Sequence, residues 1–485
     1  MSSYETSLNI SEFKGLMQYG DGINVDMRYA THTKNMETIG GVLQPAAACE
    51  LLTPTLTSPI ETIARLHRRW HAGSDKDVLI AGSGGKLYYM LPGASDWALL
   101  NMPSGVTSYA SNVWSWVTYE INPEGSAASV DVLLLSNAYD GMVMVRGDNM
   151  SVTKVPTPKK FGTIERYAER IWGGAIIDDP DMLVYSAPYD PTNWEANTEI
   201  PEDGAGDLNQ PSWDGDSFTA LRTFGSQLIA FKKTRIWRIL GTDPGEYTFK
   251  EQYGGGAAYP NTVAVDNERI LMLAEKGVQI YDGLSASPFL QEYCAEIWKR
   301  MNRSKLDEAR AVLWHGRYYI AVPMNGSAIN NAVIIYDSHD GTWLLRDDVF
   351  VENWLGTENE LYFTSATTPG RVWKWHDNSW ETGESTTAAV SWETPWTDMG
   401  AKNVNKGGYD LYFLCEAQDD VTLKFTIVTE KKTKVKTWLV KAGNQRQKRL
   451  HFGGNGRRFK LKIEASTGVW RIVSGVFLIV ETDPD

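Results

Sequence analysis

The sequence predicts an all-β protein: a six- or seven-bladed β-propeller followed by a C-terminal β-sandwich domain, with an extended N-terminal arm. Three observations predict this class: a recurring strand–turn–strand pattern, a strand-favouring composition, and a change of pattern near residue 380. The chain holds 19 Trp, 22 Tyr and 14 Phe, whose rings fit the half-buried surface of strands, and 43 Gly and 20 Pro, which mark turns. This composition favours an all-β class over a helical one.

The recurring unit is a run of strand-forming residues, a short polar or glycine-bearing turn, and a second such run. It occurs seven times: in Leu79–Met90, Leu228–Leu240, Leu271–Tyr281 and Leu361–Trp375, and in weaker copies starting near Val132, Ile171 and Tyr318. Successive starts lie 53, 39, 57, 43, 47 and 43 residues apart. A unit of about 40–45 residues holds the four strands of one propeller blade. The repeats therefore predict a propeller over residues 61–380.

The segments on either side of the repeats have different patterns. Residues 1–60 contain turn signals and prolines but few runs long enough for a core, which predicts an arm that lies along the propeller, closes its ring or reaches a neighbour. After the polar linker Thr382–Thr387, six or more short strand-like segments predict a sandwich or jelly roll over residues 381–485. Apolar residues at three-to-four spacing predict one helix near Leu290–Met301.

Charge is unevenly distributed along the chain. The formal net charge is −13, yet the segment from Lys431 to Lys462 contains twelve Lys or Arg and no Asp or Glu, so the other residues together carry −25. An acidic body repels nucleic acid, whereas a basic end can meet phosphates or an acidic protein neighbour. Lys434 and Lys436, like Lys460, alternate with other residues, so the outward faces of strands are the favoured interpretation.

Cysteine use and hydropathy favour a soluble protein made in a reducing compartment. Cys49, Cys294 and Cys415 are far apart and form no CxxC pair, which argues against a zinc ribbon or a disulfide framework. The first residues show no basic region followed by an apolar run, so no secretory signal is expected. No stretch approaches about 18 consecutive apolar residues, so no membrane span is expected.

Two motifs are better explained as turns than as catalytic or ligand-binding sites. The segment Ser338–Trp343 resembles a shortened Asp-box of sialidase propellers and equally the blade-closing turn of kelch propellers, and in both the element is structural. Asp178, Asp179 and Asp181 supply the oxygen ligands that calcium prefers, but no DxDxDG loop follows. A solvated hairpin turn is the favoured interpretation of these aspartates.

Catalytic and metal-binding patterns are weak throughout. His67 and His71 would share one face of a helix, but no third zinc ligand is evident, and His315 stands alone without a GxSxG elbow. The segment Gly84-Gly85-Lys86 lacks the other residues of a phosphate loop and is interpreted as a hairpin turn. No pair of carboxylates is singled out for glycoside hydrolysis. We therefore predict no catalytic residue, no metal site, no cofactor and no enzymatic activity.

Several further residues have two open interpretations. Lys232-Lys233 can contact a ligand or, as favoured, form an exposed turn. The segment from Asp190 to Asp214, rich in Pro, Asn, Asp and Gly, predicts a long loop, and its Trp194–Trp213 portion suits sugar stacking or protein docking equally. Two tryptophan pairs can stack on sugars or belong to the core: Trp373 with Trp375, and Trp392 with Trp396.

A resemblance to a known family extends over most of the chain. Its most telling part runs from Ser217 to Gly283 and includes Phe218-Thr219-Ala220-Leu221, Phe224–Lys232, Ile236-Trp237, Gly254-Gly255-Gly256, Ala264–Asn267 and Gly277–Gly283. Further parts are Phe13–Leu16 with Asp26, Ala30 and Asn35-Met36, and Arg457–Glu464 followed by Gly468–Arg471. These patterns are similar to the tail hub or nozzle (tail tubular) proteins of short-tailed bacteriophages, whose propellers form the exit ring of the DNA channel.

The resemblance implies a structural virion protein without catalytic residues. It implies a homo-oligomeric ring, commonly a hexamer, that continues the DNA channel below the portal or adaptor and contacts other tail proteins such as fibres or spikes. Genomic DNA would pass through transiently, and the protein would be made in the host cytoplasm and located in the virion tail. Two alternatives stay open: a carbohydrate- or receptor-binding propeller with a lectin-like sandwich, and a glycoside hydrolase or lyase.

Overall fold

Strands dominate the computed structural model, which describes residues 4–18, 25–52, 54–73, 76–123, 128–213, 215–266, 268–289 and 293–483. Within these ranges the strands form seven four-stranded sheets and two larger ones, and the strands in each sheet pair antiparallel. The seven small sheets are the blades of a β-propeller. The first strands of neighbouring blades contact one another around the centre, including those of blades 7 and 1, and between blades 4 and 5 the contact runs through the 3₁₀ segment Pro260–Thr262.

The first four blades follow one another along the chain. Blade 1 comprises Ile60–His67, Asp77–Ser83, Lys86–Met90 and Ala98–Leu99. Blade 2 comprises Ser115–Ile121, Val130–Asn137, Gly141–Arg146 and Val152–Val155. Blade 3 comprises Thr163–Tyr167, Arg170–Gly174, Met182–Tyr185 and Gly206–Asn209. Blade 4 comprises Phe218–Phe224, Gln227–Lys232, Ile236–Leu240 and Thr248–Gln252.

The last three blades complete the ring. Blade 5 comprises Ala264–Val265, Ile270–Ala274, Gly277–Tyr281 and Ala286–Pro288. Blade 6 comprises Arg310–Trp314, Arg317–Val322, Ala332–Asp337 and Thr342–Asp347. Blade 7 comprises Asn353–Gly356, Leu361–Thr364, Val372–Trp375 and, from far upstream, Glu50–Leu52. The ring thus closes with a strand from the N-terminal segment, which pairs Leu52 with Val372 and Glu50 with Lys374.

All seven repeats of the sequence coincide with the second and third strands of a blade. These central strands are covered on both faces by the neighbouring blades, so they carry nearly continuous apolar runs. In blade 2 every residue of Val130–Asn137 is buried, and in blade 6 every residue of Ala332–Asp337 is buried. The predicted propeller is confirmed, with seven blades.

The two remaining sheets form the sandwich. The first contains Tyr4–Ile10, Met36–Ile39, Val42–Pro45, Asn405–Ala417, Gly443–Gly456 and Trp470–Asp483. The second contains His32–Lys34, Val390–Glu393, Val421–Thr429, Thr433–Val440 and Phe459–Ala465. Buried and half-buried residues alternate along Asn405–Ala417, as expected for a sheet with one face on a core, and Phe413 packs on Phe425 of the facing sheet at 4.5 Å between ring centroids.

The segment predicted as an extended arm, residues 1–60, closes the propeller ring, which was one of its three expected roles, and it is also built into the sandwich. Besides Tyr4–Ile10, this segment supplies three strands of the sandwich and one strand of blade 7. The three sandwich strands are His32–Lys34, Met36–Ile39 and Val42–Pro45. The sandwich therefore needs both ends of the chain, not residues 381–485 alone. These N-terminal strands are only three to seven residues long. The sequence of so short a strand does not indicate which other strand it pairs with.

Helical structure among the described residues is limited to short pieces. There the complete α-helices are Ala295–Arg300 and Ser379–Thr382, and the 3₁₀ segments are Pro201–Asp203, Pro260–Thr262 and Arg303–Glu308. The helix predicted over Leu290–Met301 is present as its C-terminal half, while residues 290–292 lie outside the described residues. No helix of the described ranges is long and apolar enough to cross a bilayer.

The sandwich is fastened to blade 6 by the N-terminal segment. Leu16 N donates to Trp343 O at 2.6 Å, and Asn35 N donates to Leu345 O at 3.0 Å. Phe13 meets Trp392 of the sandwich edge-on, with ring centroids 4.9 Å apart. One continuous apolar cluster includes residues of blades 5 and 6, this segment and both sandwich sheets. The propeller and the sandwich therefore share a core at this junction.

Candidate functional site

A central cavity lies where the innermost strands of the propeller converge. Its volume is about 610 Å³, and strand residues from blades 2, 3, 4, 6 and 7 contribute to its wall. Three charged side chains line it: Glu165 of blade 3, Arg222 of blade 4 and Arg310 of blade 6. Cavities of several hundred Å³ with a few polar groups are the usual size for small-molecule sites.

The charged groups of this cavity are partly engaged in holding the ring together. Arg222 Nη1 donates to Leu221 O at 2.7 Å and its Nε donates to Val263 O at 3.3 Å. Arg310 Nη1 donates to Asp307 O at 2.9 Å. Burial raises the pKa of Glu165, opposed by Arg222, and burial lowers the pKa of Arg310. The cavity is polar, and these bonds give its arginines a structural role.

A second candidate is the edge of the second sandwich sheet, formed by the strand Thr433–Val440. We call this strand, with the preceding Lys431 and Lys432, the basic edge. Its first five residues, Thr433 to Thr437, are exposed on both faces. Val435 is 48% exposed and Leu439 is 49% exposed. The strand pairs only with Val421–Thr429, so its outer edge has no strand partner among the described residues.

Ion pairing separates the basic edge from the rest of the basic segment. Lys441 pairs with Asp420 at 2.6 Å, and Lys462 pairs with Glu464 at 2.8 Å; Lys460 pairs with Glu393. No carboxylate of the described residues lies within ion-pair distance of Lys434 or Lys436. Lys434 and Lys436 are exposed, but they pair with the buried residues Ile427 and Phe425, so they lie on the core-facing side of the sheet at its open edge. The outward-facing interpretation is therefore wrong for these two lysines and correct for Lys460 and Lys462, which alternate with buried residues.

An exposed cluster on the adjacent strands shows the opposite behaviour. Arg449 donates to Asp410 at 2.6 Å, and His451 Nδ1 lies 2.9 Å from the same carboxylate. The hydrogen bond from Arg449 holds the pKa of Asp410 below its usual range, with a smaller contribution from His451. Charges here are neutralised locally, in contrast to Lys434 and Lys436, for which the described residues provide no ion pair.

The motifs that resemble functional sequences are turns in the structure. Ser338–Trp343 joins the third and fourth strands of blade 6, and Trp343 is 1% exposed and packs on Tyr336 at 4.9 Å. Gly84 and Gly85 have φ values of 57° and 74° and turn the central hairpin of blade 1, which suits a two-residue turn with both residues at positive φ. Both structural interpretations are correct.

The candidate metal ligands are separated or paired with cations. Asp179 pairs with Lys159, and Asp181 accepts from Lys232 at 2.5 Å. His67 lies on a strand rather than a helix and contacts Asp77 at 2.7 Å. Among the described residues no group of three or more His, Cys, Asp or Glu side chains is placed to hold a metal. Cys49, Cys294 and Cys415 are free thiols, and Cys294 and Cys415 are buried.

Other singled-out residues are structural. His315 stacks on Trp314 with ring centroids 4.0 Å apart, and its Nε2 lies 2.8 Å from Glu358 O. Trp375 and Trp392 are 1% and 0% exposed, so neither can stack on a sugar.

Lys232 corrects a prediction. The exposed-turn interpretation of Lys232-Lys233 is wrong for the first residue, whose side chain is 0% exposed. Lys232 ends the second strand of blade 4, and its Nζ also donates to Gln210 O at 2.8 Å and lies 4.7 Å from the Phe218 ring centroid. The sequence shows two adjacent lysines, and only the cross-blade packing distinguishes the buried one.

The loop predicted between Asp190 and Asp214 is more ordered than expected. It contains the 3₁₀ segment Pro201–Asp203 and the fourth strand of blade 3, Gly206–Asn209. Trp194 is buried against Phe161 at 5.2 Å, whereas Trp213 is fully exposed. The loop is held by Arg170, a residue that is 1% exposed and that no sequence pattern indicated.

The fold therefore defines the class of this protein: an all-β chain in which a seven-bladed propeller is joined to a β-sandwich. No protein-family model matches the sequence, and no curated protein matches it. Solved structures match at 10% identity. The chain is similar to the WD40 domain of Pan2 from Neurospora crassa, with 66% of this chain and 90% of that chain covered and a TM-score of 0.36.

Two further structures match at the same identity. One is BBS1N in complex with ARL6DN, with 68% of this chain and 96% of that chain covered and a TM-score of 0.41. The other is an exo-beta-1,3-galactanase from Phanerochaete chrysosporium with galactose, with 90% of this chain and 100% of that chain covered and a TM-score of 0.26. These matches concern the fold, not the function.

The galactanase match corrects one prediction. We predicted that this protein is not an enzyme, and that prediction is contradicted because an enzyme is among the structures that the chain resembles. Propeller folds host many unrelated activities, so the weak catalytic motifs of the sequence do not exclude catalysis.

Proposed function

We propose that this protein is a structural subunit of a bacteriophage tail, in the hub or nozzle ring that continues the DNA channel below the portal or adaptor. The observation that carries the proposal is the basic edge, a strand with exposed lysines and exposed apolar side chains whose outer edge is not paired by any other described strand. The family resemblance of the sequence supplies the tail as its setting.

An uncovered strand edge is a docking surface by its nature. It presents unpaired backbone N–H and C=O groups, which invite pairing with another chain unless charge or a covering element blocks them. Val435 and Leu439 add apolar area, and Lys434 and Lys436 add charge that selects an acidic partner. This combination fits a subunit that is completed by assembly.

The rest of the molecule suits a rigid building block. The propeller is closed by Glu50–Leu52 from the same chain, and this closure leaves only short, protected sheet edges. A buried ion network fixes the sandwich to blade 6: Glu37 Oε1 accepts from Arg346 Nε at 3.0 Å, and Glu37 Oε2 lies 3.5 Å from Arg317 Nη1. Neighbouring copies would therefore meet with a fixed geometry.

The acidic body supports passage of genomic DNA through the assembled ring. Outside the segment from Lys431 to Lys462, the chain carries −25. Each basic contact to phosphate would add affinity and friction, whereas an acidic wall repels the DNA backbone. We propose the portal or adaptor and other tail proteins as the axial partners, and the virion tail as the location after synthesis in the host cytoplasm.

Carbohydrate binding is less well supported. Two of the tryptophans proposed for sugar stacking, Trp375 and Trp392, lie in cores. The other two, Trp373 and Trp396, are half-buried, and Trp396 lies under the Lys460 ammonium at 5.2 Å.

The proposal is tested on particles released from cells that carry the gene. Mass spectrometry of purified virions should detect peptides of this chain at several copies per particle, counted against the portal protein. Antibodies raised against the intact chain should label the tail in electron micrographs, whereas antibodies against a capsid protein should label the head. Absence of the chain from purified particles, or labelling of the head alone, would refute the proposal.

A further inference from the structure

A strongly acidic surface lies on blade 3, far from the basic edge in the fold. The 51 residues from 171 to 221 contain eleven Asp or Glu and no Lys or Arg. This composition mirrors the basic segment, which contains twelve Lys or Arg and no acid. The most exposed part is the stretch 195–203, in which every residue is exposed, and we call it the acidic loop. It carries Glu195, Glu199, Glu202 and Asp203.

The acidic loop is held in a fixed shape from below. The buried Arg170 side chain donates from Nη1 to Ser186 O at 2.8 Å and to Gly204 O at 2.6 Å, and from Nη2 to Glu202 O. Asn197 Oδ1 accepts from the backbone N of Glu199 at 3.0 Å. Because backbone carbonyls bind the arginine, the carboxylates of the loop stay available to solvent. Such preorganisation lowers the entropic cost of binding a partner.

The same surface also carries exposed apolar groups. Ile200 is 51% exposed at the centre of the loop, and Tyr189, which precedes it on the same connection, is 74% exposed. On the basic edge, Val435 and Leu439 are about equally exposed. Each surface thus combines one sign of charge with apolar anchors, which is the composition expected of two halves of one interface.

The two surfaces cannot meet within one chain. The sandwich is fastened to blade 6, and in a seven-bladed ring blade 3 lies three blades away in one direction and four in the other. Blade 3 is therefore on the far side of the propeller. The ion pairs formed by the basic segment involve acids of the sandwich itself, such as Asp410 and Asp420.

We propose that the basic edge of one copy of this chain docks on the acidic loop of a second copy. The contact is head-to-tail, because two different surfaces meet, and repetition of such a contact gives a closed ring or a filament. The loop lies across the strand edge, so that Lys434 and Lys436 on one face of the strand meet its acidic side chains, and Val435 and Leu439 on the other face pack near Ile200. This inference deepens the proposed function, on which it rests for the assembly of like copies, by naming the two contacting surfaces.

Charge reversal tests the contact. The variants are K434E/K436E on the edge and E199K/E202K on the loop, and all four positions are exposed, so folding should be unaffected. The purified full-length chain should self-associate at low salt, measured by sedimentation velocity, and dissociate as salt rises. Each double variant should weaken self-association about tenfold or more, because attractive pairs become repulsive. Matched controls are E275K and K276E in the exposed central turn of blade 5.

Mixing the two reversed variants gives the decisive result. The edge of K434E/K436E complements the loop of E199K/E202K, and the unchanged surfaces complement each other, so an equimolar mixture should recover wild-type assembly. A monomeric wild-type chain, reversed variants that assemble normally, or a mixture that fails to recover would each overturn the inference. Detection of the chain in purified tails tests the proposed function separately, so a wrong interface and a wrong function give different outcomes.

Discussion

Arg346→Met should break the buried ion network between the sandwich and blade 6 and lower the free energy of unfolding by about 3–5 kcal/mol. The Glu37 side chain is 0% exposed and that of Arg346 is 2% exposed, so the Glu37 carboxylate cannot recover its hydration when Arg346 is removed. Arg346 also donates to Ala47 O at 3.2 Å and to His376 O at 2.8 Å, and its guanidinium lies 4.1 Å from the Trp375 ring centroid. The substitution leaves a buried carboxylate with Arg317 alone.

The remaining partner explains why the loss is not larger. Arg317 Nε donates to Asp337 at 2.7 Å, and its Nη1 lies 3.5 Å from both Glu37 and Asp377. Burial lowers the pKa of Arg317, but the neighbouring carboxylates more than offset this effect and raise it. Burial raises the pKa of Glu37 despite the two arginines. Arg317 therefore keeps part of the charge balance when Arg346 is removed.

Urea unfolding followed by tryptophan fluorescence measures the loss. The control is Lys374→Met, which removes an ion pair with Glu360 at 2.6 Å whose side chains are 26% and 35% exposed, and should cost about 0–1 kcal/mol. In a double-mutant cycle with Glu37→Gln, the coupling energy should be about 0.5–3 kcal/mol. A loss below about 1 kcal/mol for Arg346→Met, or additive single changes, would refute a shared network.

Three further changes probe other parts of the molecule. Arg170→Met should expose residues 195–203 to proteolysis and faster amide exchange while blade 2 keeps its protection, since three backbone carbonyls lose their donor; unchanged exchange would contradict this. Gly370→Ala should lower the free energy of unfolding more than Gly93→Ala does. Both glycines have positive φ, but only the Cβ added at 370 overlaps a facing carbonyl, that of Leu56. Equal losses of about 1–2 kcal/mol would show that backbone strain alone matters. Asp410 has a lowered folded pKa, so its contribution to stability is present above the unfolded value of about 3.9 and is lost as pH falls through the folded value. Asp410→Asn should flatten the acid limb of stability against pH, and an unchanged limb would contradict that role.

The seven repeats are recognisable in the sequence for a physical reason. Val130–Asn137 and Ala332–Asp337 are buried on both faces because blades pack on both sides, so selection for a dry core leaves continuous apolar runs that the sequence displays. The first and fourth strands of the blades are less regular, as in Ala98–Leu99, so the sequence does not predict their bounds. The same logic explains why Trp343 and Trp375 proved to be core residues.

The candidate surfaces were only partly foreseeable. Twelve basic residues with no acid among them marked the segment that contains the basic edge, and alternation indicated a strand. Which face carries Lys434 and Lys436 depends on the pairing with Val421–Thr429. The acidic loop had a comparable signal in its composition, but its shape depends on Arg170, which begins the second strand of blade 3. Charge is a property of the sequence, whereas the support of a loop is a property of neighbours in space.

Periodicity and composition alone determined that this chain is all-β and that it repeats a hairpin seven times, since burial on both faces of a strand leaves its mark residue by residue. Only the tertiary structure decided that Glu50–Leu52 closes the ring, that both ends of the chain build the sandwich, and that Lys232 is buried while Lys434 is exposed. The reason is that short strands and single charges take their partners from distant segments. Hydrogen-bond ladders and salt bridges do not depend on separation along the chain, so local patterns cannot specify them.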